Sequence, residues 1–300
     1  MALKQKYFVL LWAITISDAG RSQIRQVMEF RDGARNASWS QGGRVIFERA
    51  GKIVLAGANA SGDRALASGK CGSPEWHPEG RMFAFASSGR ILFKDADTGT
   101  ILDSFPAGQA HDLRFSRDGI GLAWLDSAGG HIRKRGALTP LRLPDGLTLI
   151  GIDDFTVDGR ELLVTAHSAA SHDPRQTEIY TCAIAQPSCR AVTHKPSQRQ
   201  DVARLSPSGR KILFASSETA WVPEAKIDYE SDLWIQGVGE AAARRMTWFN
   251  EPANPRYDPE RAHITGVSWR GDGRWVIATI TEGLRQDHWR LVKIEFPEAE

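Results

Sequence analysis

A short segment built around a glycine recurs six times along the 300-residue chain. In each copy a large apolar residue lies four positions before the glycine, and a second apolar residue lies three positions after it. The turn glycines are Gly43, Gly80, Gly119, Gly159, Gly209 and Gly273. An Asp-Gly or similar pair is typical of a tight β-hairpin, because glycine readily adopts the positive φ of such a turn. The repeat therefore predicts six β-hairpins of one common design.

A third strand is predicted after each hairpin, since a polar residue followed by Ile or Leu recurs there, as at Lys52 and Ile53 or Arg290 and Leu291. Most copies continue through a short turn into a fourth strand. Four short antiparallel strands per repeat form one blade of a β-propeller. We therefore predict an all-β, six-bladed β-propeller in a single domain, residues 20–300. Its blades are expected at about 36–68, 73–105, 112–143, 152–194, 202–248 and 265–296.

The ring of blades is expected to close through the N-terminal strand. Without closure, the first and last blades would expose unpaired strand edges. Blade six has residues 289–296 as its third strand and nothing after them to form a fourth. Residues 25–30 have the pattern of a fourth strand, so we predict that they pair with residues 289–296 and complete the last blade.

The first nineteen residues have the pattern of a secretory signal peptide. Lys4 and Lys6 precede a ten-residue apolar stretch, and small residues follow it at Ser17 and Ala19. A retained membrane anchor is the alternative, but ten apolar residues fall short of the roughly twenty that span a bilayer. We expect residues 1–19 to be cleaved on export, leaving no membrane span.

The cysteines agree with export. Cys182 and Cys189 flank a short turn, and in a hairpin they would lie opposite each other at a separation that a disulfide spans. Metal or redox chemistry is the alternative, although the spacing does not fit it. A structural disulfide is typical of oxidising compartments. Cys71 is left over and is predicted to be a buried free thiol.

The repeat resembles that of the TolB-like propellers, a WD-repeat-like family whose consensus runs aromatic-Ser-Pro-Asp-Gly-Lys before an aliphatic strand. The clearest copies are Leu205-Ser206-Pro207-Ser208-Gly209-Arg210 and Trp76-His77-Pro78-Glu79-Gly80-Arg81. The resemblance covers about residues 25–296. It implies the propeller fold and a Gram-negative periplasm, and it is not specific for function.

Long insertions are predicted on one rim of the propeller, at 167–177, 216–231, 249–263 and 281–287, all in blades four to six. Binding residues commonly lie on long loops carried by a rigid scaffold. These insertions are rich in aromatic and charged residues of the kinds found at protein interfaces. We expect partner binding by Trp221, Lys226, Asp228, Tyr229, Trp248, Phe249, Arg256, Tyr257 and Arg261. The alternative is that several of them only pack the loops onto the propeller.

Catalytic motifs are missing from the sequence: it has no G-x-S-x-G, phosphate-binding glycine loop, H-E-x-x-H or C-x-x-C. His167 and His172 could ligate a metal together with Asp173. Asp153 and Asp154, expected at the start of the inner strand of blade four, could do acid–base work. Exposed histidines and a solvated strand start are the simpler interpretations, so we expect no metal and no cofactor.

The net charge of +2 and the lack of a basic run give no support for nucleic acid binding. The sequence therefore favours a periplasmic or secreted, monomeric and non-catalytic module that binds a protein or peptide of the cell envelope. The alternative is an enzyme, a lyase or hydrolase acting on carbohydrate or peptide at the channel mouth through His167, His172, Asp153 and Asp154.

Overall fold

The computed structural model of the protein describes residues 27–57, 62–171, 173, 176–193, 199–217, 230–253, 262–282 and 285–296. These residues form twenty-four β-strands and no helix. No helix in this part of the chain is therefore long and apolar enough to cross a membrane. The predicted signal peptide, residues 1–19, lies outside the described residues.

The strands form six antiparallel sheets of four strands each, which confirms the predicted all-β, six-bladed propeller. Blade one contains β2 (Ala34–Trp39), β3 (Val45–Arg49), β4 (Lys52–Ala56) and β5 (Arg64–Ser68). Blade two contains β6 (Cys71–Trp76), β7 (Met82–Ser87), β8 (Arg90–Asp95) and β9 (Ile101–Pro106). Blade three contains β10 (His111–Phe115), β11 (Gly121–Asp126), β12 (Gly129–Lys134) and β13 (Ala137–Pro140).

Blade four contains β14 (Leu147–Phe155), β15 (Glu161–Ser168), β16 (Glu178–Ala183) and β17 (Cys189–Ala191). Blade five contains β18 (Gln200–Leu205), β19 (Lys211–Ser216), β20 (Asp232–Gly237) and β21 (Ala243–Arg245). Blade six contains β22 (Ala262–Trp269), β23 (Trp275–Glu282) and β24 (Arg285–Glu295), and its fourth strand is the N-terminal β1 (Val27–Asp32). Because β1 pairs antiparallel with β24, Val27 opposite Ile294 and Asp32 opposite Arg290, the N-terminal strand closes the ring as predicted.

The repeat builds the core between neighbouring blades. The apolar residue four before each glycine is 1–8 % exposed in all six copies, and the residue three after it is 0–3 % exposed. The six turn glycines have φ between 64° and 81°. The sequence repeat thus specifies the buried anchors and the backbone conformation of each hairpin.

The blades have two different faces. The turn face carries the glycine turns and the turns between third and fourth strands. The connection face carries the turns between second and third strands and the connections between blades. On the connection face, blades one and two have tight two-residue turns at Ala50-Gly51 and Ser88-Gly89, whereas residues 169–177 and 217–231 separate the corresponding strands of blades four and five. The expectation of a long loop at 281–287 is wrong, since β23 and β24 extend through most of these residues.

The disulfide between Cys182 and Cys189 is present, and it joins directly opposed residues of β16 and β17. Cys71 is a buried free cysteine. The bond ties down the short outer strand of blade four, which consists of only three residues.

Candidate functional site

The long segments of blades five and six leave the connection face from one anchored point, which we call the loop base: Ser231, Asp232, Asn250 and Ala262. The Ser231 amide donates to the Ala262 carbonyl over 3.0 Å. The Asn250 amide donates to the carbonyls of both Ser231 and Ala262, at 3.1 and 3.0 Å. The loop base therefore holds Ser231, Asn250 and Ala262 together at the points where the two long segments join the scaffold.

Asp232 secures the same region from within blade five. Its carboxylate accepts hydrogen bonds from the Thr247 hydroxyl at 2.6 Å and from the Phe249 amide at 2.8 Å. Its second oxygen lies 2.7 Å from Nη2 of Arg245. Because both oxygens of this buried carboxylate are bonded to residues that follow or end β21, Asp232 fixes the path of the chain as it leaves that strand.

Two of the expected partner-binding residues lie in this described region. Phe249 is buried in the hydrophobic core with Ala262 and Ile264, so it packs the loop onto the propeller. Trp248 is half-buried, with the Arg245 guanidinium 6.0 Å from its ring centroid. The remaining expected residues, Trp221, Lys226, Asp228, Tyr229, Arg256, Tyr257 and Arg261, lie outside the described residues.

Polar side chains occupy one position of the repeat on the inner strands, directly before each apolar anchor. These channel positions are Ser38, Glu75, Arg114, Asp154, Arg204 and Ser268. In five of the six inner strands the pairing register shifts at this residue, as expected of a β-bulge. Four of the bulges hold a non-glycine residue at positive φ, namely Asn36, Ser73, Asp112 and Val202.

Charged groups cross the channel at this level. Nη2 of Arg204 in blade five lies 3.4 Å from Oε2 of Glu75 in blade two, and Nη1 of Arg114 lies 4.0 Å from the same oxygen. Burial alone would lower the pKa of Arg204, but the carboxylates of Glu75 and Asp154 outweigh burial and raise it. On the turn face, Arg117 of blade three donates to the carbonyls of Ser206 and Pro207 in blade five. Side chains thus bridge the channel at two levels.

Asp153 and Asp154 lie at the end of β14, so the expectation of a solvated strand start is wrong. The strand begins at Leu147, and two register shifts lengthen it. Asp153 accepts from the Thr165 hydroxyl at 2.8 Å and from the Ala203 amide at 3.1 Å. Burial raises the pKa of Asp153 to about 7, despite the Thr165 hydrogen bond and the charge of Arg114.

Asp154 is half-buried and also paired, since it accepts from the amide of its neighbour Phe155 at 2.8 Å and from the Leu205 amide at 3.0 Å. Burial raises its pKa, although the charges of Arg204 and Arg117 oppose this. Both carboxylates are therefore held by backbone and hydroxyl groups of blades four and five.

His167 lies away from this carboxylate pair. Asp154 pairs with Leu163, and His167 is four residues further along β15, roughly 13 Å at about 3.3 Å per residue. Nδ1 of His167 lies 2.9 Å from the Gln176 carbonyl. His172 lies outside the described residues. In the part of the chain that the structure describes, no group of three or more His, Cys, Asp or Glu side chains is placed to hold a metal.

A groove of about 760 Å³, which no sequence motif predicts, opens on the connection face between blades three and four. His111 faces it, with Nδ1 3.3 Å from Oδ2 of Asp112, and this hydrogen bond raises the pKa of His111. Asp126 also lines the groove, and its Oδ1 lies 2.9 Å from Nε2 of His131. The left-handed bulge at Asp112 brings the side chains of His111 and Asp112 together. No residue pattern in the sequence predicts this contact.

Comparison with solved structures places the chain among β-propellers. TolB from Acinetobacter baumannii superposes with a TM-score of 0.56 at 17 % identity, over 92 % of this chain and 66 % of that chain. An oligogalacturonate lyase from Vibrio parahaemolyticus has a TM-score of 0.58 at 11 % identity, over 95 % and 97 % of the two chains. An oligogalacturonate lyase in complex with manganese has a TM-score of 0.56 at 11 % identity, over 95 % and 96 %.

These similarities show the fold alone, because the identities are low. The chain spans just under two thirds, 66 %, of the length of the Acinetobacter TolB chain. No protein-family profile matches the sequence, and no curated protein matches it either. The class that the fold defines is a six-bladed β-propeller with TolB and WD40 propellers among its structural neighbours.

Proposed function

We propose that this protein is an exported β-propeller that binds a protein or peptide partner of the cell envelope through the connection-face rim of blades four to six. The observation that carries the proposal is the loop base. Hydrogen bonds from Asn250 and Ser231 hold the ends of two long segments against one rigid scaffold; both segments carry aromatic residues, and the second also carries Arg256 and Arg261. Such segments on a fixed scaffold are suited to recognition.

Three further observations support export and binding over catalysis. The Cys182–Cys189 disulfide fits an oxidising compartment, and the N-terminal pattern fits a cleaved signal peptide. The carboxylates of Glu75, Asp153 and Asp154 are engaged by arginines, hydroxyls or backbone amides of the protein itself. A general acid or base needs a free position facing substrate.

The first prediction tests the rim directly. A photo-crosslinking amino acid at Tyr229 of the full chain in its host should give a discrete protein adduct, identified by mass spectrometry. Replacing Trp221 and Tyr257 by Ser should abolish the adduct without changing the melting temperature, because these residues are assigned to binding. The matched control replaces Val157 and Val238, exposed residues of the turn face, by Ser. An adduct that survives W221S/Y257S, or that is lost equally in the control, contradicts the proposal.

The alternative, a propeller-hosted lyase or hydrolase, predicts a different result. The purified protein, incubated with oligogalacturonate with and without manganese, would form an unsaturated product that absorbs in the ultraviolet if it is a lyase. A hydrolase would release new reducing ends without this absorbance. Product formation that is lost in H167A/H172A would replace the binding proposal with the enzymatic one.

A further inference from the structure

Exposed apolar side chains concentrate at one place on the outside of the ring. Among the described residues, seven large apolar side chains are exposed, and four belong to blades two and three. These are Ile101 (55 % exposed), Leu102 (54 %), Ile120 (41 %) and Leu138 (62 %). Ile101 and Leu102 lie on the outer strand β9, Leu138 on the outer strand β13, and Ile120 in the glycine turn of blade three. Clustered exposed apolar groups mark interaction sites more often than single ones do.

Leu102 and Ile120 stand at the mouth of a cleft between these blades, with a volume of about 270 Å³. Met82 and Phe93 of blade two and Phe115 and Leu122 of blade three line it. Sites for whole small molecules usually measure about 300–1,000 Å³, so this cleft is better matched to one anchoring side chain.

Two arginines, Arg133 and Arg135, and one carboxylate, Asp103, also line the cleft. Arg133 lies over the Phe105 ring, 4.3 Å from its centroid, and 3.4 Å from the Asp103 carboxylate. Arg135 is exposed, and no ion pair is found for it among the described residues. It sits with Gly136 in a two-residue hairpin turn, with φ of 51° and 84°. Because both φ values are positive, as in a type I′ turn, the backbone that carries this guanidinium is well defined.

The neighbouring crevice shows that this composition is not a general property of the fold. The corresponding space between blades three and four measures about 560 Å³ and is lined by Asp158, Arg160, Glu161 and Gln186. Of its lining residues, Ile184 is the one large apolar side chain. The apolar cleft with arginines between blades two and three is therefore not repeated between blades three and four.

We propose that the cleft between blades two and three is a second docking site, for a partner's peptide segment that carries an apolar side chain next to a carboxylate. The apolar side chain enters between Phe93 and Leu122, and the carboxylate pairs with Arg135. The site lies towards the turn face, opposite the proposed partner-binding rim, and does not depend on it. A second copy of the chain is the less suitable occupant, since a stable dimer buries about 800 Å² per partner and this patch centres on a single narrow cleft.

The test uses the full chain with ¹³C-labelled Ile, Leu and Val methyl groups. Titration with acetyl-Gly-Phe-Glu-Gly-amide should shift the methyl signals of Leu102, Ile120 and Leu122 and leave those of Val157 and Val238 unchanged. The same peptide with Lys in place of Glu should bind about tenfold more weakly, because the charge-assisted contact becomes a repulsion. Absence of shifts at millimolar peptide, or shifts spread equally over all exposed methyls, overturns the proposal.

Charge reversal tests the role of Arg135. Arg135→Glu should make the Lys peptide bind better than the Glu peptide, whereas Arg135→Lys should keep the original preference. Leu102→Ser should weaken both peptides with an unchanged melting temperature. An unchanged preference in R135E overturns the proposal. So do shifts of the same methyls that depend on protein concentration without peptide, because they would assign the patch to a second copy.

Discussion

At the scale of single residues, Asp153 is a carboxyl that the fold isolates from solvent. Its two oxygens accept from Thr165 of the adjacent strand and from the Ala203 amide of the next blade. Because burial raises its pKa to about 7, the native state keeps a proton that the unfolded chain loses near pH 3.8. The stability that depends on this proton is fully present below about pH 4 and is lost as the pH rises towards 7.

Asp153→Asn is therefore expected to stabilise the protein at pH 8. The amide stays neutral, its oxygen can accept from Ala203, and its NH₂ can donate to the Thr165 hydroxyl. At about 1.4 kcal/mol per pKa unit, the gain is at most about 4 kcal/mol and vanishes below pH 4. Chemical denaturation of D153N and wild type between pH 4 and 8 measures it.

The control for this prediction is Asp158→Asn in the glycine turn of blade four. The Thr156 hydroxyl donates to Asp158 and lowers the pKa of that carboxyl. The stability that Asp158 contributes is therefore lost as the pH falls, whereas that of Asp153 is lost as the pH rises. A stability difference between D153N and wild type that does not change from pH 4 to 8 would contradict the assignment.

At the scale of the structural element, the glycine turns of neighbouring blades pack on one another. A Cβ added to Gly119 would lie 2.2 Å from Nε2 of His77 in the preceding blade's turn. That imidazole is fixed in place by two contacts. It packs edge-on against the Phe115 ring with the ring centroids 5.1 Å apart, and its Nε2 lies 3.3 Å from the Gly119 carbonyl oxygen. Gly119 is thus required by its positive φ of 71° and by close packing.

Gly119→Ala and Gly159→Ala separate these two requirements. Gly159 occupies the same turn position in blade four with φ of 64°, and an added Cβ there meets nothing within 4 Å. G159A should cost about 1 kcal/mol for the positive φ alone. G119A should cost about 1–3 kcal/mol more, because the His77 ring must move. Equal losses in denaturant unfolding would show that the turns do not pack closely in solution.

The same elements show what the sequence could predict and where it could not. The glycine turns, their apolar anchors and the pairing of the N-terminal strand with blade six follow from residue chemistry repeated at fixed spacing. The start of β14 and the extent of β23 and β24 do not, because bulges and extra pairs change strand length without altering the apolar pattern. The channel positions could be read off as the residue before each anchor, but which blades face each other across the ring could not. The pair of Glu75 and Arg204 therefore required the structure.

At the scale of the whole molecule, the propeller is a closed ring with one non-covalent closure. Pairing of β1 with β24 joins the two ends of the described chain, and the Gly33 amide extends it by donating to the Trp289 carbonyl at 2.6 Å. The bridges across the channel, from Arg204 to Glu75 and from Arg117 to Ser206, connect blades that are not neighbours. The ring is therefore expected to lose stability as a unit when its closing strand is removed.

A chain that begins at Gly33 lacks β1 and should melt about 5–15 °C below a chain that begins at Val27, since loss of a closing strand removes several kcal/mol. A synthetic peptide of residues 25–32, added in excess, should restore the melting temperature in proportion to the logarithm of its concentration, because it binds only the folded ring. A peptide of the same composition in scrambled order is the control. The ring closure would be contradicted by a truncated chain that melts within about 2 °C of the longer one, or by equal rescue from the scrambled peptide.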